Sequence, residues 1–250
     1  MEELDIAIEA SKASGRILKK YFRTNIEVEK KSDASPVTVA DKESERMIVS
    51  IIRSHFPEHN ILAEEFTYEK TDSEFKWIID PLDMTRNFVR GIPFFSNFVA
   101  LEKQGKIIAG VINIPELDIL AYASLGGGSF VNDKKVSVSK TKNLADAYVV
   151  YGDINEKSTE PYTKGIFGII NRCYSNRGYG DALGYVLLAQ GFVDIAIDRG
   201  KPWDVAPAKI IVEEAGGKVT DFGGKDTIYS GHNIATNGRL HDEVIGILKS

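Results

Sequence analysis

The sequence predicts an α+β protein in which helices and sheets alternate in layers. Three observations carry this. Two amphipathic helical patterns open the chain, an antiparallel strand meander follows, and strand and helix take turns after about residue 140.

Residues 2–23 read as the first helix. Leu4, Ala7, Ile8, Ser11, Ser14, Ile17 or Leu18, and Tyr21 recur at spacings of three and four, the period of one helix face. The polar stretch EKKSDASP breaks it. Residues 38–56 read as a second helix, with Thr38 as N-cap, Met47, Ile48, Ile51, Ile52 and Phe56 as its stripe, and Pro57 as its stop. NILA and KWIID are short strands that end in Glu64 and Asp80. Between Phe94 and Val138 apolar runs are broken by Gln-Gly, Pro-Glu, Gly-Gly-Gly and Asn-Asp, the punctuation of an antiparallel meander. Farther on, AYVVYG, FVDIAID, KVTDF, TIYS and NIAT read as strands. Residues 159–171, DALGYVLLAQG, WDVAPAKIIVEEAGG and 240–249 read as helices. The change of pattern places a soft boundary near residue 140. It separates an N-terminal antiparallel region, 1–140, from a C-terminal mixed-sheet α/β region, 141–250.

Composition excludes several classes. With 43% hydrophobic and 27% charged residues, the chain of 250 residues is ordinary for a globular protein. A net charge of −5 without a basic stripe argues against nucleic acid as a partner. No run approaches the roughly 18 apolar residues of a membrane span, and MEELDIAIEA lacks a basic segment followed by an apolar one. A cytoplasmic location is therefore expected. A single cysteine, Cys173, excludes an intrachain disulfide and a thiolate metal cluster.

Chemistry concentrates in acids. Asp41 lies in the first turn of the second helix, Glu64 at a strand end, Asp80 and Asp83 around Pro81-Leu82, and Asp204 at a helix start. Singly, each has an ordinary reading. Thr38 and Asp41 are spaced as a capping box, Asp204 suits a helix N-terminus, and Asp80-Pro81 opens a turn. Jointly they suit hard divalent cations, which take carboxylate and carbonyl oxygens. Asp80, the Leu82 carbonyl and Asp83 present oxygens from one tight turn, and Glu64 and Asp204 would complete a two-metal cluster of the kind that cleaves phosphate esters. Met84-Thr85-Arg86 would start a helical turn whose N–H groups suit an anion. If the Thr85 hydroxyl hydrogen-bonds Asp41, the pair would orient and deprotonate a water.

With these residues in view, the sequence resembles the inositol monophosphatase family. The resemblance rests on SPVTVADKESE (35–45), ILAEEF (61–66), WIIDPLDMTRNFVRGIPFF (77–95) and WDVAPAKIIVEEAGG (203–217), in that order, and extends to GGGSFVNDKKVSVS and GHNIATNG. It implies an α/β/α/β/α sandwich and two or three Mg²⁺ ions. Glu64, Asp80 and the Leu82 carbonyl would hold the first ion, Asp80, Asp83 and Asp204 the second, with a looser third near Glu64. Asp41 and Thr85 would activate water, and the amides of Met84 and Thr85 would grip the phosphate. Lys31 would assist with the phosphate or a water. Relatives pair near residues 150–190, so a homodimer is expected.

One departure stands out. The family's glycine after the second aspartate is Met84 here. A left-handed backbone there would cost methionine about 1–2 kcal/mol, whereas an ordinary one would aim the side chain at the substrate. The amide donor remains in both cases. Met84 also leaves room for a non-catalytic, metabolite- or partner-binding relative. For the leaving group, Asp198 matches the position at which relatives place an acid against inositol hydroxyls, with one residue fewer before Asp204. Asp181, in YGDALGY, resembles the histidinol-phosphatase branch and would meet a substrate amine, or else cap helix 181–190. Arg172 or Arg177 would reach a second phosphate. The expected substrate is inositol 1-phosphate, with possible activity on fructose 1,6-bisphosphate. Histidinol phosphate is the alternative.

Overall fold

A computed structural model describes residues 1–30, 36–152, 154 and 159–249. Lys31 lies outside the described residues. The 159–171 pattern lies within them, and its helix begins only at Thr163.

Helix α1 (Glu2–Tyr21) stops two residues short of the predicted end, and α2 (Val39–His55) begins after its Thr38 cap. Between them Val28–Lys30 (β1) and Pro36–Thr38 (β2) pair antiparallel, a ribbon that the polar sequence did not announce. The main sheet follows: β3 (Asn60–Ala63), β4 (Phe75–Asp83), β5 (Ser96–Lys103), β6 (Lys106–Ile114), β7 (Ile119–Ser124), β8 (Gly128–Val131) and β9 (Lys134–Lys135), ordered as numbered. Only β3 and β4 are parallel. From β4 onward the sheet is the antiparallel meander that the punctuation predicts. A short helix, α3 (Thr85–Val89), interrupts it after β4.

The second sheet contains β10 (Tyr148–Tyr151), β11 (Ser175–Arg177), β12 (Ile195–Arg199), β13 (Lys218–Thr220) and β14 (His232–Thr236), in the order β11-β10-β12-β14-β13. It is mixed, with β10 parallel to β11 and β12, and β14 antiparallel to β12 and β13. The TIYS segment is no strand. Tyr229 ties that loop down by side chain instead, donating to the Glu102 carboxylate and accepting from Lys76 Nζ at 2.7 Å. Its alternating pattern reflects one anchored ring and not a ladder.

Among the described residues, four helices follow: α4 (Thr163–Arg172), α5 (Asp181–Ala189), α6 (Pro202–Glu214) and α7 (His241–Leu248). The layers follow from which face each strand residue presents, since neighbours on a strand point to opposite sides. Trp77, Ile79, Val99 and Leu101 pack on Ala7, Ala10, Ile48 and Ile52 of α1 and α2. Ile78, Phe98 and Ala100 face the other way, onto Tyr185, Leu188, Val205 and Ile211 of α5 and α6, which also meet Val150 and Ala196 of the second sheet. That sheet's far face carries Val149, Ile195 and Ile234 against Ile166, Ile169, Val244 and Ile247 of α4 and α7. The order is α/β/α/β/α. Helix α6 lies close to β6 because residue 110 is glycine. A Cβ there would come within 2.8 Å of the Pro207 Cα.

Candidate active site

The two aspartates of Asp80-Pro81-Leu82-Asp83 are strand residues, not the flanks of a turn beyond the strand. β4 runs through to Asp83, with its register slipped between Asp80, opposite Phe98, and Asp83, opposite Ser96. In a regular strand, residues three apart face opposite sides. One inserted residue restores a common face, and Pro81, which has no N–H to give a ladder, fits such a bulge. Asp80 and Asp83 therefore both look towards the α5–α6 layer. Asp204, in the first turn of α6, and Asp181, the first residue of α5, come from that layer. Glu64 follows β3 on the same side. The bulge is held from outside by Ser44, whose Oγ donates to the Pro81 carbonyl at 3.0 Å.

The acids meet as hydrogen-bonded pairs. Asp80 shares hydrogen bonds with Glu64 and Asp204, and its Oδ1 accepts from Leu82 N at 2.9 Å. Asp83 Oδ2 accepts from Ser96 Oγ at 2.6 Å, and Asp204 Oδ2 accepts from Lys201 N at 2.6 Å. Burial, followed by the surrounding carboxylates, raises Asp80 and Asp83 well above the usual carboxylate range. Asp204 is pushed up to about 7, mainly by burial. Among the described residues, no three His, Cys, Asp or Glu side chains surround one common point. The donor set nonetheless fits a hard divalent cation in kind and in charge. It offers only oxygens, and it gathers buried like charges that a cation would neutralise.

Asp41 makes both of the contacts that the sequence allowed, one to Thr38 and one to Thr85. Its Oδ2 closes the α2 capping box, accepting from Thr38 N at 2.7 Å and Thr38 Oγ1 at 2.6 Å. Its Oδ1 faces Thr85 Oγ1 at 3.3 Å, while that hydroxyl lies 2.9 Å from the Leu82 carbonyl. Desolvation lifts Asp41 to about 6, which puts its proton affinity near neutrality, where a general base works well.

Met84 resolves its conflict by accepting the left-handed backbone, with φ 61° and ψ 44°. Its side chain is also in the cleft. Its methyl and sulfur cover Gly180, where a Cβ would come within 2.6 Å of Met84 Cε, and Asn87 Nδ2 lies 3.6 Å from its Sδ. Met84, Glu64, Thr85, Ile92, Phe94 and Tyr179 are among the residues lining a cavity of about 680 Å³ that Asp181 closes from the other side.

The remaining predicted residues separate. Asp181 lines the cavity, but Gly180 is the N-cap of α5, so Asp181 does not cap that helix. Asp198 lies beneath Asp181, to which it is hydrogen-bonded. Its oxygens accept from Arg199 N at 2.7 Å and Tyr185 OH at 3.2 Å. Gly152 lies against both acids, and a Cβ there would come within 2.5 Å of each. Arg177 is exposed on β11 and turned to its own strand, donating to the Asn176 carbonyl at 2.6 Å. Arg172 ends α4. Sequence reasoning missed Ser44, Ser96, Glu45 and the cavity aromatics. Ser44 and Glu45 were readable only as polar positions three and four residues after Asp41.

Five layers with buried acids beside one cavity are the architecture of a class of phosphoric monoester hydrolases. The chain belongs to the inositol monophosphatase family, whose pattern it matches over residues 1–250. A fructose-1,6-bisphosphatase/inositol-1-monophosphatase of Thermotoga maritima is 38% identical over 255 residues, 99% of this chain and 96% of its own. A histidinol-phosphatase of Chlorobaculum parvum is 34% identical over 236 residues, 94% of this chain and 91% of its own. Among solved structures, the extragenic suppressor protein SuhB of Bartonella henselae matches with a TM-score of 0.92 at 32% identity, covering 100% of this chain and 99% of its own. Members of the family are generally Mg²⁺-dependent phosphatases of small phosphorylated substrates. Among the described residues, no helix is long and apolar enough to cross a membrane.

Proposed function

We propose that the chain hydrolyses a small phosphate monoester, with inositol 1-phosphate as the main substrate and fructose 1,6-bisphosphate as a second. The observation that carries this reading is the crowd of buried acids beside the Asp41–Thr85 pair, which meets one cavity through Glu64, Thr85 and Asp181. Glu64, Asp80, the Leu82 carbonyl, Asp83 and Asp204 would hold two or three Mg²⁺ ions. Bound there, the cations would acidify water and neutralise charge on the phosphate. Thr85 orients the attacking water and Asp41 takes its proton. The amides of Met84 and Thr85 hold the phosphate oxygens, and Lys31 assists. Asp181 meets the leaving group, and Asp198 supports it from beneath. In this reading 1–140 supplies most metal ligands and 141–250 supplies Asp204 and the leaving-group side, in a cytoplasmic homodimer.

Histidinol phosphate is the second reading. A carboxylate, Asp181, facing Tyr179 and Phe94 across the cavity suits a cationic ring. The three esters, assayed side by side for phosphate release with Mg²⁺, decide between them. The highest kcat/KM is expected on inositol 1-phosphate. Release from none of them, at any Mg²⁺ concentration, would overturn the proposal.

Stability offers a separate check. Asp41 and Asp204 hold their protons up to about 6 and about 7, against an ordinary 3.8. Protons therefore favour the folded state. The stability that these groups contribute is complete below their unfolded values and is lost as pH rises through 6 and 7. The ionised acids that remain then repel one another, and cation binding no longer competes with protons. Mg²⁺ is expected to raise the melting temperature more at pH 8 than at pH 5 in differential scanning fluorimetry. An equal rise at both would contradict this account of the acids.

A further inference from the structure

Glu45 is fully buried on α2, one turn beyond Asp41 and on the same face. A buried carboxylate needs partners, and its partners all come from the segment that follows Glu64. Its Oε2 accepts from Glu65 N at 2.8 Å. Its Oε1 accepts from Phe66 N at 2.9 Å and Tyr68 OH at 3.1 Å. Two neighbours on α2 reinforce this hold. The Arg46 guanidinium lies 4.9 Å from the Phe66 ring centre and that of Arg53 lies 5.2 Å from the Tyr68 ring centre.

The pairing of β3 with β4 ends at Ala63–Ile79. Glu64 follows at once and is hydrogen-bonded to Asp80, so its aim depends on that bond and on the hold on the residues after it. Glu45 grips the two backbone amides that immediately follow. With the Ser44 bond to the Pro81 carbonyl, one face of α2 carries the base, Asp41, and holds two other parts of the site, the bulge and the Glu64 segment.

We infer that Glu45 is a positioning residue that aims Glu64 into the acid cluster, and so sets the affinity of the site for its divalent cation without touching substrate. This rests on the proposed Mg²⁺-dependent activity. The carboxylate is needed as an acceptor on both oxygens. Glutamine keeps the shape but turns an NH₂ group towards a backbone N–H, releasing one of the two amides.

The test is calorimetric titration of the purified full chain with Mg²⁺, and separately with Mn²⁺, for wild type, Glu45→Gln and Tyr68→Phe. Glu45→Gln is expected to bind either ion about tenfold more weakly, the scale of losses when a group orienting a metal ligand is removed. Its Mg²⁺ requirement for phosphate release should rise in parallel, with saturating Mg²⁺ restoring kcat. Tyr68→Phe keeps both amide bonds, so it folds under milder strain and is expected to shift affinity in the same direction by less. Unchanged affinity in both variants would overturn the inference, as would a loss of kcat that saturating Mg²⁺ does not restore. If Glu45→Gln does not fold, Tyr68→Phe decides alone. A wild type that hydrolyses phosphate esters while Glu45→Gln binds Mg²⁺ equally well defeats this inference only. A wild type that binds neither ion defeats the phosphatase reading and the inference with it.

Discussion

Asp80→Asn is expected to lower phosphate release at least about 10³-fold while raising the melting temperature measured in chelator. Both effects come from one group. Asp80 is buried and hydrogen-bonded to Glu64 and Asp204, so in the proposed reaction it sits between the cations' other ligands. Cation stabilisation of an attacked phosphate is worth several kcal/mol, and each 1.36 kcal/mol is tenfold in rate. In the absence of a cation the same carboxylate is a liability, because burial and three neighbouring acids all oppose its charge. Asparagine keeps an oxygen for Leu82 N and offers an NH₂ donor to Glu64 or Asp204. Relief of about 1 kcal/mol would raise the melting temperature by about 2–4 °C in a chain of this size. Addition of Mg²⁺ should then stabilise the variant far less than wild type. Fluorimetry with and without Mg²⁺, beside an activity assay, reads all three. A variant that melts lower in chelator would show that Asp80 serves the fold.

This opposition between stability and activity explains why the site was legible as a set and illegible in its geometry. Acids that serve only as caps leave no reason for so many to be buried together, and the sequence order of Asp41, Glu64, Asp80, Asp83 and Asp204 was enough to gather them. The helix periods and the meander were readable because each is a local pattern. The bulge was not. Whether Asp83 follows Asp80 on the same face depends on register against Ser96 and Phe98, and a register belongs to two strands, not to one stretch of chain. The same limit hid the direction of Asp198. Its sequence position relative to Asp204 suggested an acid against the leaving group, but Tyr185 and the Arg199 amide draw its carboxylate inward. Ser44 and Glu45 escaped notice because a polar residue on an amphipathic helix reads as solvent-facing until its partners, far along the chain, are known.

Met84→Gly is expected to raise turnover several-fold on the bulkier esters while leaving stability within about 1 kcal/mol of wild type. The sequence left two outcomes open for this residue, a left-handed backbone or a side chain in the cleft, and the structure has both. The backbone at φ 61° costs methionine about 1–2 kcal/mol, which glycine would recover. Against that stands the packing of a half-buried side chain on Leu82, Phe88 and their neighbours, worth roughly the same at about 25 cal/mol per Å² of apolar surface. The two offset, so the sign of the stability change is set by small differences and its size stays small. Activity has no such offset. The thioether fills space beside Gly180 in the cavity, and removing it leaves the amide of residue 84 where it was. Met84→Ala separates the causes, because alanine clears the cleft but keeps a Cβ on a left-handed residue. If both variants gain on fructose 1,6-bisphosphate and only glycine recovers stability, the side chain is a wall and the backbone a tolerated strain. If only glycine gains, the strained turn itself limits turnover. No gain in either variant, on any ester, would mean that methionine at this position restricts neither the leaving group nor the chemistry.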